Sequence, residues 1–404
     1  MRIARLTAVA LVTLAGAAAS ARAQTTADLF SPGRVHDVRL FMNSRDLEQL
    51  RDTYQANTYY QADLEWAGLR VRSVAIRSRG LGSRNGSKPA LRVDFDRFAA
   101  GQRFLGLESL TLDNLWQDPS LVRESVAMAM FARLGQPAPR ESYARLFINE
   151  EYQGVYAIVE GIDPAFLARV FDDPGGYVFE YQWQDEFHGQ YLGRSLDRYR
   201  ELFSPETHRL EAHGRLYSAL HDLFREVNAP ASATWLDSVE RYLDVRAFLT
   251  HLAIETFLSE RDGILGAWGM NNFYLYRPSG STRHVFIPWD RDNAFQAIDS
   301  SVMQRTSDNA FARRLLEHPE LRAFYFQMLE TAAGLAQRGW LEQEITTWAS
   351  LIRAPAYADK RKQFSNDQFE AEIAFLISFA RGRPGVVLSE VSRLRTSAAA
   401  AAAP

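Results

Sequence analysis

The sequence predicts an α+β fold, with a β-rich part up to about residue 160 and a mainly helical part after it. Three observations support this fold class. Residue alternation punctuated by tight turns dominates the first part, helical periodicity dominates after about Gly161, and one strand pair interrupts the helices. No internal repeat and no Pro/Gly/Ser-rich linker divides the chain. We therefore expect one domain over residues 30–396.

The first part alternates apolar and polar residues between turn signals. Six strands are predicted, at Val38–Met42, Ala62–Trp66, Arg70–Arg77, Leu91–Phe95, Tyr143–Asn149 and Tyr152–Glu160. A helix is predicted at Ser44–Tyr54, with Asn43 or Ser44 as its cap, and a second is predicted at Pro119–Leu134. Asp118 before Pro119 gives that second helix a cap and a proline at its first position.

Helical periodicity marks the second part. Helices are predicted at Pro205–Val227, Ser232–Tyr242, Val245–Leu258, Pro319–Ala336 and Asp367–Phe379. The inserted strands are Asn272–Tyr276 and His284–Ile287. This layout is that of a bilobal kinase and also of many unrelated α+β proteins, so the layout alone does not indicate a function.

The two ends of the chain predict export and a terminal tail. A basic start, the apolar run Leu6–Ala19 and the small-x-small residues at 21–23 are typical of a secretory signal peptide over residues 1–23. That run is shorter than the roughly 20 residues of a membrane span, and no later segment is long and apolar enough. The alanine-rich end, 397–404, predicts a disordered tail. We expect an exported protein, periplasmic or extracellular, with no membrane span.

Composition excludes several kinds of site. The chain has no cysteine, which excludes thiol catalysis, zinc–thiolate sites and iron–sulfur clusters. A net charge of -3 with 24% charged residues gives no indication of nucleic-acid or membrane binding. The eight histidines show no metal-ligand spacing, and there is no GxSxG motif.

A glycine- and arginine-rich stretch lies between two predicted strands. It runs from Arg77 and Arg79 through Gly80 and Gly82 to Lys88. Glycines at such a turn allow backbone N–H groups to approach a phosphate, and the basic side chains supply opposing charge. The spacing fits neither the Walker A loop nor the dinucleotide fingerprint. Taken alone, the stretch favours a plain, solvated hairpin loop.

Acidic and amide residues flank the inserted strand pair. Asp262 follows a long apolar helix, Asn272 enters the first strand, and Asp290 and Asp292 follow the second. These residues would converge at one end of the hairpin. Phosphoryl transfer needs such a set, because a carboxylate orients the acceptor hydroxyl and hard oxygen ligands hold Mg²⁺ on the phosphates. The alternative is an ordinary pair of turns, where Asp and Asn are also common.

These motifs, in this order, resemble the CotH kinase family (spore coat protein H-like atypical kinases) over roughly Val35 to Leu394. The resemblance is carried by four segments, at 76–93, at 118–140, at 147–163, and at 272–276 together with 287–292. It implies an atypical protein-kinase-like bilobal fold, with a β-rich N-lobe at about 30–160 and a mainly helical C-lobe at about 161–396. It also implies a kinase that uses ATP with Mg²⁺ or Mn²⁺ to phosphorylate a protein substrate.

The resemblance implies a role for each candidate on the nucleotide side. Lys88 would pair with the phosphates, and the strand ending at Glu160 would lead to the adenine-binding hinge. Arg77, Arg79 and Arg123 are candidates for phosphate pairs or structural pairs. Gly80 and Gly82 belong to the same predicted cofactor-binding loop.

On the metal side, the resemblance implies that Asp262 orients the substrate hydroxyl. Asn272 and Asp290 would ligate the metal, and Asp292 would be a second metal or water partner.

Three functional hypotheses follow. The first is an exported atypical protein kinase whose substrate is an exported or surface protein. The second is a non-catalytic envelope or coat assembly scaffold that retains the fold. The third is a metal-dependent hydrolase of cell-surface polymers that uses Asp290 and Asp292 on the ion. Nucleotide-dependent thermal stabilisation distinguishes the first from the second, and polysaccharide cleavage without nucleotide would indicate the third.

Overall fold

A computed structural model describes residues 24–401 and confirms the α+β class. The predicted signal peptide, 1–23, lies outside the described residues. The first part contains α1 (Thr26–Leu29), β1 (Val35–Met42), α2 (Ser44–Asp52), β2 (Tyr60–Trp66), β3 (Leu69–Ser78), β4 (Leu91–Asp94), β5 (Ser109–Asp113), α3 (Arg123–Arg133), β6 (Glu141–Ile148) and β7 (Glu151–Glu160).

The second part is mainly helical, as predicted. It contains α4 (Pro164–Phe171), β8 (Tyr177–Tyr181), α5 (Leu196–Leu202), β9 (Phe203–Pro205), α6 (His213–Val227), α7 (Trp235–Glu240), α8 (Val245–Phe257), β10 (Phe273–Arg277), β11 (Val285–Pro288), α9 (Ala310–Leu316), α10 (Pro319–Gln337), α11 (Trp340–Ala358) and α12 (Asn366–Ala401). Within the described range, no helix has the length and apolar character needed to cross a membrane.

The strands of the first part close into a barrel in the order β1-β2-β3-β4-β5-β7-β6. The barrel closes where β1 pairs in parallel with β6, while the other neighbours are antiparallel. Alternate side chains of β1, β2 and β4 fill the interior, whereas most of β5 and β7 is buried on both faces. One polar pair lies inside, where the Trp66 indole N–H donates to His36 Nδ1 at 3.0 Å.

A second sheet has the order β11-β10-β8-β9 and carries the predicted strand pair at its edge. It packs against a helical core centred on α8, which is buried on every side. A helix that is buried all round occupies a core position, and its polar residues, such as His251 and Glu255, then need partners inside the core. The C-terminal end of this central helix lies at the edge of the sheet from which β11 exits. The segment around Asp262 therefore lies at that edge as well.

Two predicted helix starts are wrong for the same reason, a competing local structure. The helix predicted from Pro119 begins at Arg123, because the Asp118 carboxylate accepts hydrogen bonds from the backbone N–H groups of Ser120 and Arg123, both at 2.8 Å. The helix predicted from Pro205 begins at His213, since Phe203–Pro205 pairs with β8 instead. The last helix is longer than predicted, and it includes residues 397–401 of the predicted tail.

Candidate active site

A polar cleft lies between barrel strands β3–β5 and the β8–β10 face of the second sheet. It consists of two cavities of about 430 and 420 Å³. Both are lined by Leu81, Trp183, Asn271, Asn272 and Asp290, so the two cavities form one continuous cleft. Cavities of this size are in the range that holds a cofactor-sized ligand.

Four arginines line the first cavity, namely Arg77, Arg79, Arg84 and Arg92. Arg79 lies 4.0 Å from the Asp113 carboxylate and 5.4 Å from the centre of the Trp289 ring. Arg84 donates to the backbone carbonyl of Ser78 at 2.9 Å, as does Arg77 at 3.0 Å. Arg92 pairs with Glu206 at 3.7 Å, and Glu206 and Glu180 line the same cavity. The positive charge of this wall therefore comes from Arg77, Arg79 and Arg84, whose guanidinium groups suit the phosphates of a polyanionic ligand.

The glycine-rich loop at 79–88 forms the lip of this wall. Gly80 has a φ of +96°, a conformation that favours glycine, and it lines the first cavity. Gly82 lines the second cavity, and a Cβ there would lie 3.3 Å from Gln117 Oε1. The structure therefore places Arg77, Arg79, Gly80 and Gly82 of the predicted loop at the cleft.

Asp262, Asn271 and Asn272 form the opposite wall. The Asp262 carboxylate accepts hydrogen bonds from the side-chain amides of Asn271 and Asn272, each at 3.1 Å. Asn272 also donates to the backbone carbonyl of Asp262 at 3.0 Å. Burial raises the pKa of Asp262, while the two amides favour its charged form. The residues predicted to converge from 262 and 272 are thus in direct contact.

Asp290 lies at the junction of the two cavities. Its backbone φ is +52° and that of Asn272 is +58°, so both are held in the left-handed region that Asn and Asp tolerate. Within the described part of the chain, no hydrogen bond engages the Asp290 carboxylate. Burial, and then the charge of Asp113, raise the pKa of Asp290 to about 6. A carboxylate so placed is poised to receive a cation.

Asp292 lines the second cavity and accepts a hydrogen bond from the Asn293 side-chain amide at 2.8 Å. Burial and the Asp290 charge raise its pKa well above its usual value. Asn272, Asp290 and Asp292 supply hard oxygen donors at one cavity, a donor set that fits Mg²⁺ or Mn²⁺ shared with phosphate oxygens. Across residues 24–401, no group of three or more His, Cys, Asp or Glu residues could hold a metal by itself.

A buried ionic cluster connects the two segments that carry these aspartates. The Arg291 guanidinium lies 2.5 Å from Glu255 Oε1 and 3.1 Å from His251 Nε2. Glu255 Oε2 accepts the backbone N–H of Ile264 at 2.8 Å. Burial disfavours the Glu255 charge, but Arg291 and His251 hold its pKa below the usual value. The cluster ties the loop after Asp262 to the residue that follows Asp290.

Sequence reasoning missed three acidic residues behind the site. Asp113 ends β5, and Glu124 and Glu141 face the same region from α3 and β6. Burial raises the pKa of Glu141 to about 8, and burial and Glu141 raise that of Glu124. No local motif marks these carboxylates. The one available signal was Asp113, which follows the short alternating run Ser109 to Leu112 of β5.

Two predicted residues do not line the cleft. The Lys88 amine is fully buried and lies 2.8 Å from Asp359 Oδ2. The Glu160 carboxylate is fully buried between Arg140 and Arg169, at 2.6 and 2.5 Å. The next two residues after Glu160, at 161 and 162, line the first cavity instead. In this structure the Lys88 amine is therefore paired with Asp359, and Lys88 lines neither cavity of the cleft.

Arg123, a candidate for a phosphate pair or a structural pair, has structural contacts here. Its side chain donates to the backbone carbonyl of Ala294 at 2.7 Å and pairs with Asp118 and Glu372. It does not line either cavity of the cleft. Arg123 instead links the start of α3 to the segment that follows Asp292.

This chain is similar to several known proteins. Inner spore coat protein H of Bacillus subtilis (strain 168) is 24% identical over 368 residues, which cover 88% of this chain and 97% of that protein. Invasin CotH2 of Rhizopus delemar is 26% identical over 202 residues, covering 46% of this chain and 31% of that protein. The Helicobacter pylori proinflammatory kinase CtkA covers 76% of this chain and 95% of its own, with 9% identity and a TM-score of 0.31.

The sequence profile of the family described as "CotH kinase protein" matches residues 76–387. These residues include the glycine-rich loop, the Asp262 segment and the strand pair that ends at Asp290. They span well over half of the 404-residue chain. The chain therefore belongs to the CotH kinase protein family.

Proposed function

We propose that the chain is an exported protein kinase that transfers the γ-phosphate of ATP to a protein hydroxyl with the help of a divalent metal. One observation carries this proposal: the arginine wall faces Asp262, Asn272 and Asp290 across one cleft. Phosphoryl transfer depends mainly on positioning and on charge stabilisation. A fixed cationic wall opposite a set of hard oxygen donors supplies both.

The arginines bind the triphosphate in this proposal. Arg79 is the most direct candidate, because it lies in the cleft between Asp113 and Trp289 rather than in a tight ion pair. Arg77 and Arg84 both donate to the Ser78 carbonyl and to the Asn57 side chain, and Arg84 also donates to the Gln55 carbonyl, so these two arginines brace the wall. They take the charge-neutralising role that the resemblance assigned to Lys88.

The aromatic end of the first cavity is the proposed position of the base. Tyr181 and Phe273 stack there with ring centres 4.6 Å apart. Trp183 lines the same cavity with its side chain partly exposed, and Gly161 and Ile162 approach from the end of β7. A planar, weakly polar ring suits such a surface better than a phosphate does.

Asp262 is the residue proposed to orient the hydroxyl group of the protein substrate. The amides of Asn271 and Asn272 hold its carboxylate in a fixed orientation at the second cavity. There it would accept a hydrogen bond from the substrate hydroxyl and orient it for in-line attack. Burial raises the Asp262 pKa, which makes the carboxylate a better proton acceptor than a solvated one.

Asn272, Asp290 and Asp292 would hold the metal. A bound Mg²⁺ or Mn²⁺ supplies neutralisation of charge on the phosphate oxygens. The protein itself contributes ligand positions fixed by strained backbone at Asn272 and Asp290. Because the Asp290 carboxylate is buried and disfavoured as an anion, cation binding there relieves an existing electrostatic cost.

The substrate in this proposal is an exported or surface protein, because the first 23 residues are typical of a signal peptide. One observation favours the non-catalytic scaffold as a second candidate. The lysine that the resemblance assigns to the phosphates, Lys88, is sequestered with Asp359. The two candidates differ in whether the cleft binds nucleotide with metal.

Thermal unfolding of the protein lacking residues 1–23 tests the proposal, with ATP, with Mg²⁺ or Mn²⁺, and with both. We expect stabilisation that requires both ligands, of about 2.7 kcal/mol at a ligand concentration 100-fold above Kd. Asp290→Ala should abolish it, while Asp237→Ala, at an exposed site on α7, should keep it. Absence of any shift at millimolar ligand would favour the scaffold.

A further inference from the structure

The ion pair between Lys88 and Asp359 is the most completely buried one outside the cleft among the described residues. Both side chains are fully shielded from solvent, and the amine lies 2.8 Å from Asp359 Oδ2. The amine also lies 5.1 Å from the centre of the Tyr156 ring. Asp359 follows α11, so the pair joins positions 271 residues apart. Isolating two charges from water is costly, and such a pair persists only where its geometry is well satisfied.

Both carboxylate oxygens of Asp359 also accept hydrogen bonds from backbone N–H groups. Its Oδ2 accepts the Val155 N–H at 3.0 Å, and its Oδ1 accepts those of Arg361 and Lys362 at 2.8 and 3.1 Å. Gly154 has a φ of +120°, and a Cβ there would lie 2.4 Å from the carboxylate. The carboxylate thus holds together β7 and the turn that follows α11.

The backbone of Lys88 is held equally firmly to the glycine-rich loop. Its N–H donates to Asn85 Oδ1 at 2.7 Å, and its carbonyl accepts from the Asn114 amide at 2.7 Å. That same amide donates to the Ser83 carbonyl at 3.0 Å. Because the Lys88 amine is paired with Asp359, Lys88 fixes one end of this loop. The other end of the loop carries Arg79 and Gly80 at the cleft.

We propose that Lys88 is a positioning residue, and that its ion pair with Asp359 clamps the glycine-rich loop at the cleft without contacting the nucleotide. This inference rests on the proposed function, because the clamped loop is the lip of the proposed phosphate site. A direct phosphate ligand would have to leave Asp359 with a buried, unpaired charge. The clamp requires no such rearrangement, since the arginine wall already faces the cleft.

The two roles predict opposite outcomes for a pair of substitutions. Lys88→Met leaves Asp359 unpaired, and Asp359→Asn leaves Lys88 unpaired, so each alone should loosen the loop. Combining them removes both charges, and the introduced asparagine keeps one side-chain oxygen for the Arg361 and Lys362 N–H groups but turns an NH2 group toward the Val155 N–H. Because the ion pair is a single interaction, a clamp predicts that the double variant is no looser than the looser single variant. A phosphate ligand instead predicts that Asp359→Asn, which frees the Lys88 amine, keeps or raises ATP affinity.

Two measurements separate the outcomes. Hydrogen exchange of the 79–88 amides without nucleotide should rise at least tenfold in each single variant and should not rise further in the double variant. ATP affinity with Mg²⁺, measured by titration, should fall in Lys88→Met and in Asp359→Asn alike, and no further in the double variant. Unchanged loop exchange in both single variants would overturn the clamp.

An ATP affinity reduced by more than tenfold in Lys88→Met but unchanged or higher in Asp359→Asn would also overturn the inference, because Lys88 would then be a phosphate ligand. If the unsubstituted protein shows no ATP binding, the proposed function fails. The loop-exchange pattern still decides whether the pair is a clamp. The failure of each proposal is therefore visible in a different measurement.

Discussion

Arg291→Met should be among the most destabilising single changes behind the cleft. The Arg291 side chain is fully buried and pairs with Glu255, which is itself nearly fully buried. Methionine fills most of the volume but leaves the Glu255 carboxylate without its guanidinium. Removing one partner of a buried ion pair costs about 3–5 kcal/mol. With an unfolding entropy of about 2 cal/mol/K per residue over this chain, that loss lowers Tm by about 4–6 °C.

The assay is thermal unfolding followed by circular dichroism at pH 7. Arg381→Met is the matched control, because Arg381 pairs with Glu342 on the surface and should leave Tm unchanged. Adding Glu255→Gln to Arg291→Met should restore at least half of the lost Tm, since no buried charge then remains. A Tm within 1 °C of the unsubstituted protein for Arg291→Met alone would refute the reasoning.

Three further changes test individual parts of the site. Gly263→Ala would place a methyl group 2.6 Å from the Glu255 carboxylate and should cost about 1–3 kcal/mol of unfolding free energy, measured by urea denaturation. Asp290→Asn should raise stability more at pH 7 than at pH 4, measured by thermal unfolding across that range. Arg79→Ala should weaken ATP affinity with Mg²⁺ about tenfold, by loss of a charge-assisted phosphate contact.

The sign of the pH prediction follows from the direction of the shift. Burial and Asp113 raise the Asp290 pKa from 3.8 to about 6 in the folded protein. The folded state therefore binds this proton more tightly than the unfolded state, and ionised Asp290 destabilises the fold above pH 6. The penalty disappears as pH falls toward 3.8. Asparagine removes the penalty, so equal stability gains at pH 7 and pH 4 would contradict the shift.

The controls for Gly263→Ala and Arg79→Ala are substitutions at sites that have open space around them or are exposed to solvent. Gly214→Ala adds a methyl group with no atom within 4 Å on α6, and it should leave stability unchanged or slightly raised. Arg72→Ala removes an exposed charge from β3 and should leave ATP affinity unchanged. Equal effects at each test site and its control would contradict the steric and the phosphate arguments respectively.

The local sequence pattern was sufficient to predict those elements and residues whose positions depend on their neighbours in the sequence. The strand pair and the acidic segments around it were predicted from alternation and turn residues. The structure brings Asp262 and Asn272 into contact and places Asp290 at the same cavity. The α+β class is confirmed, whereas the bilobal arrangement and the catalytic roles stay predictions.

The features that the sequence did not predict depend on contacts between segments that are far apart in the chain. Lys88 is held by Asp359, 271 residues away, and no sequence spacing indicates that pairing. Strand β5 has only five residues, and although Ser109 to Leu112 alternate polar and apolar residues, the polar Ser109 and Thr111 are buried as well, so this short alternation marks no exposed face. The start of α6 was predicted too early because the preceding residues gain more by pairing with β8 than by forming a helical turn.

Transfer of phosphate from ATP labelled at the γ-position tests the central claim most directly. The protein lacking residues 1–23 is incubated with labelled ATP, Mg²⁺ or Mn²⁺ and exported proteins from the same source, and protein-bound label is counted. We predict metal-dependent labelling that falls at least a thousandfold in Asp262→Asn and persists in Asp237→Asn. Labelling that is equal in Asp262→Asn and in the unsubstituted protein would contradict the account.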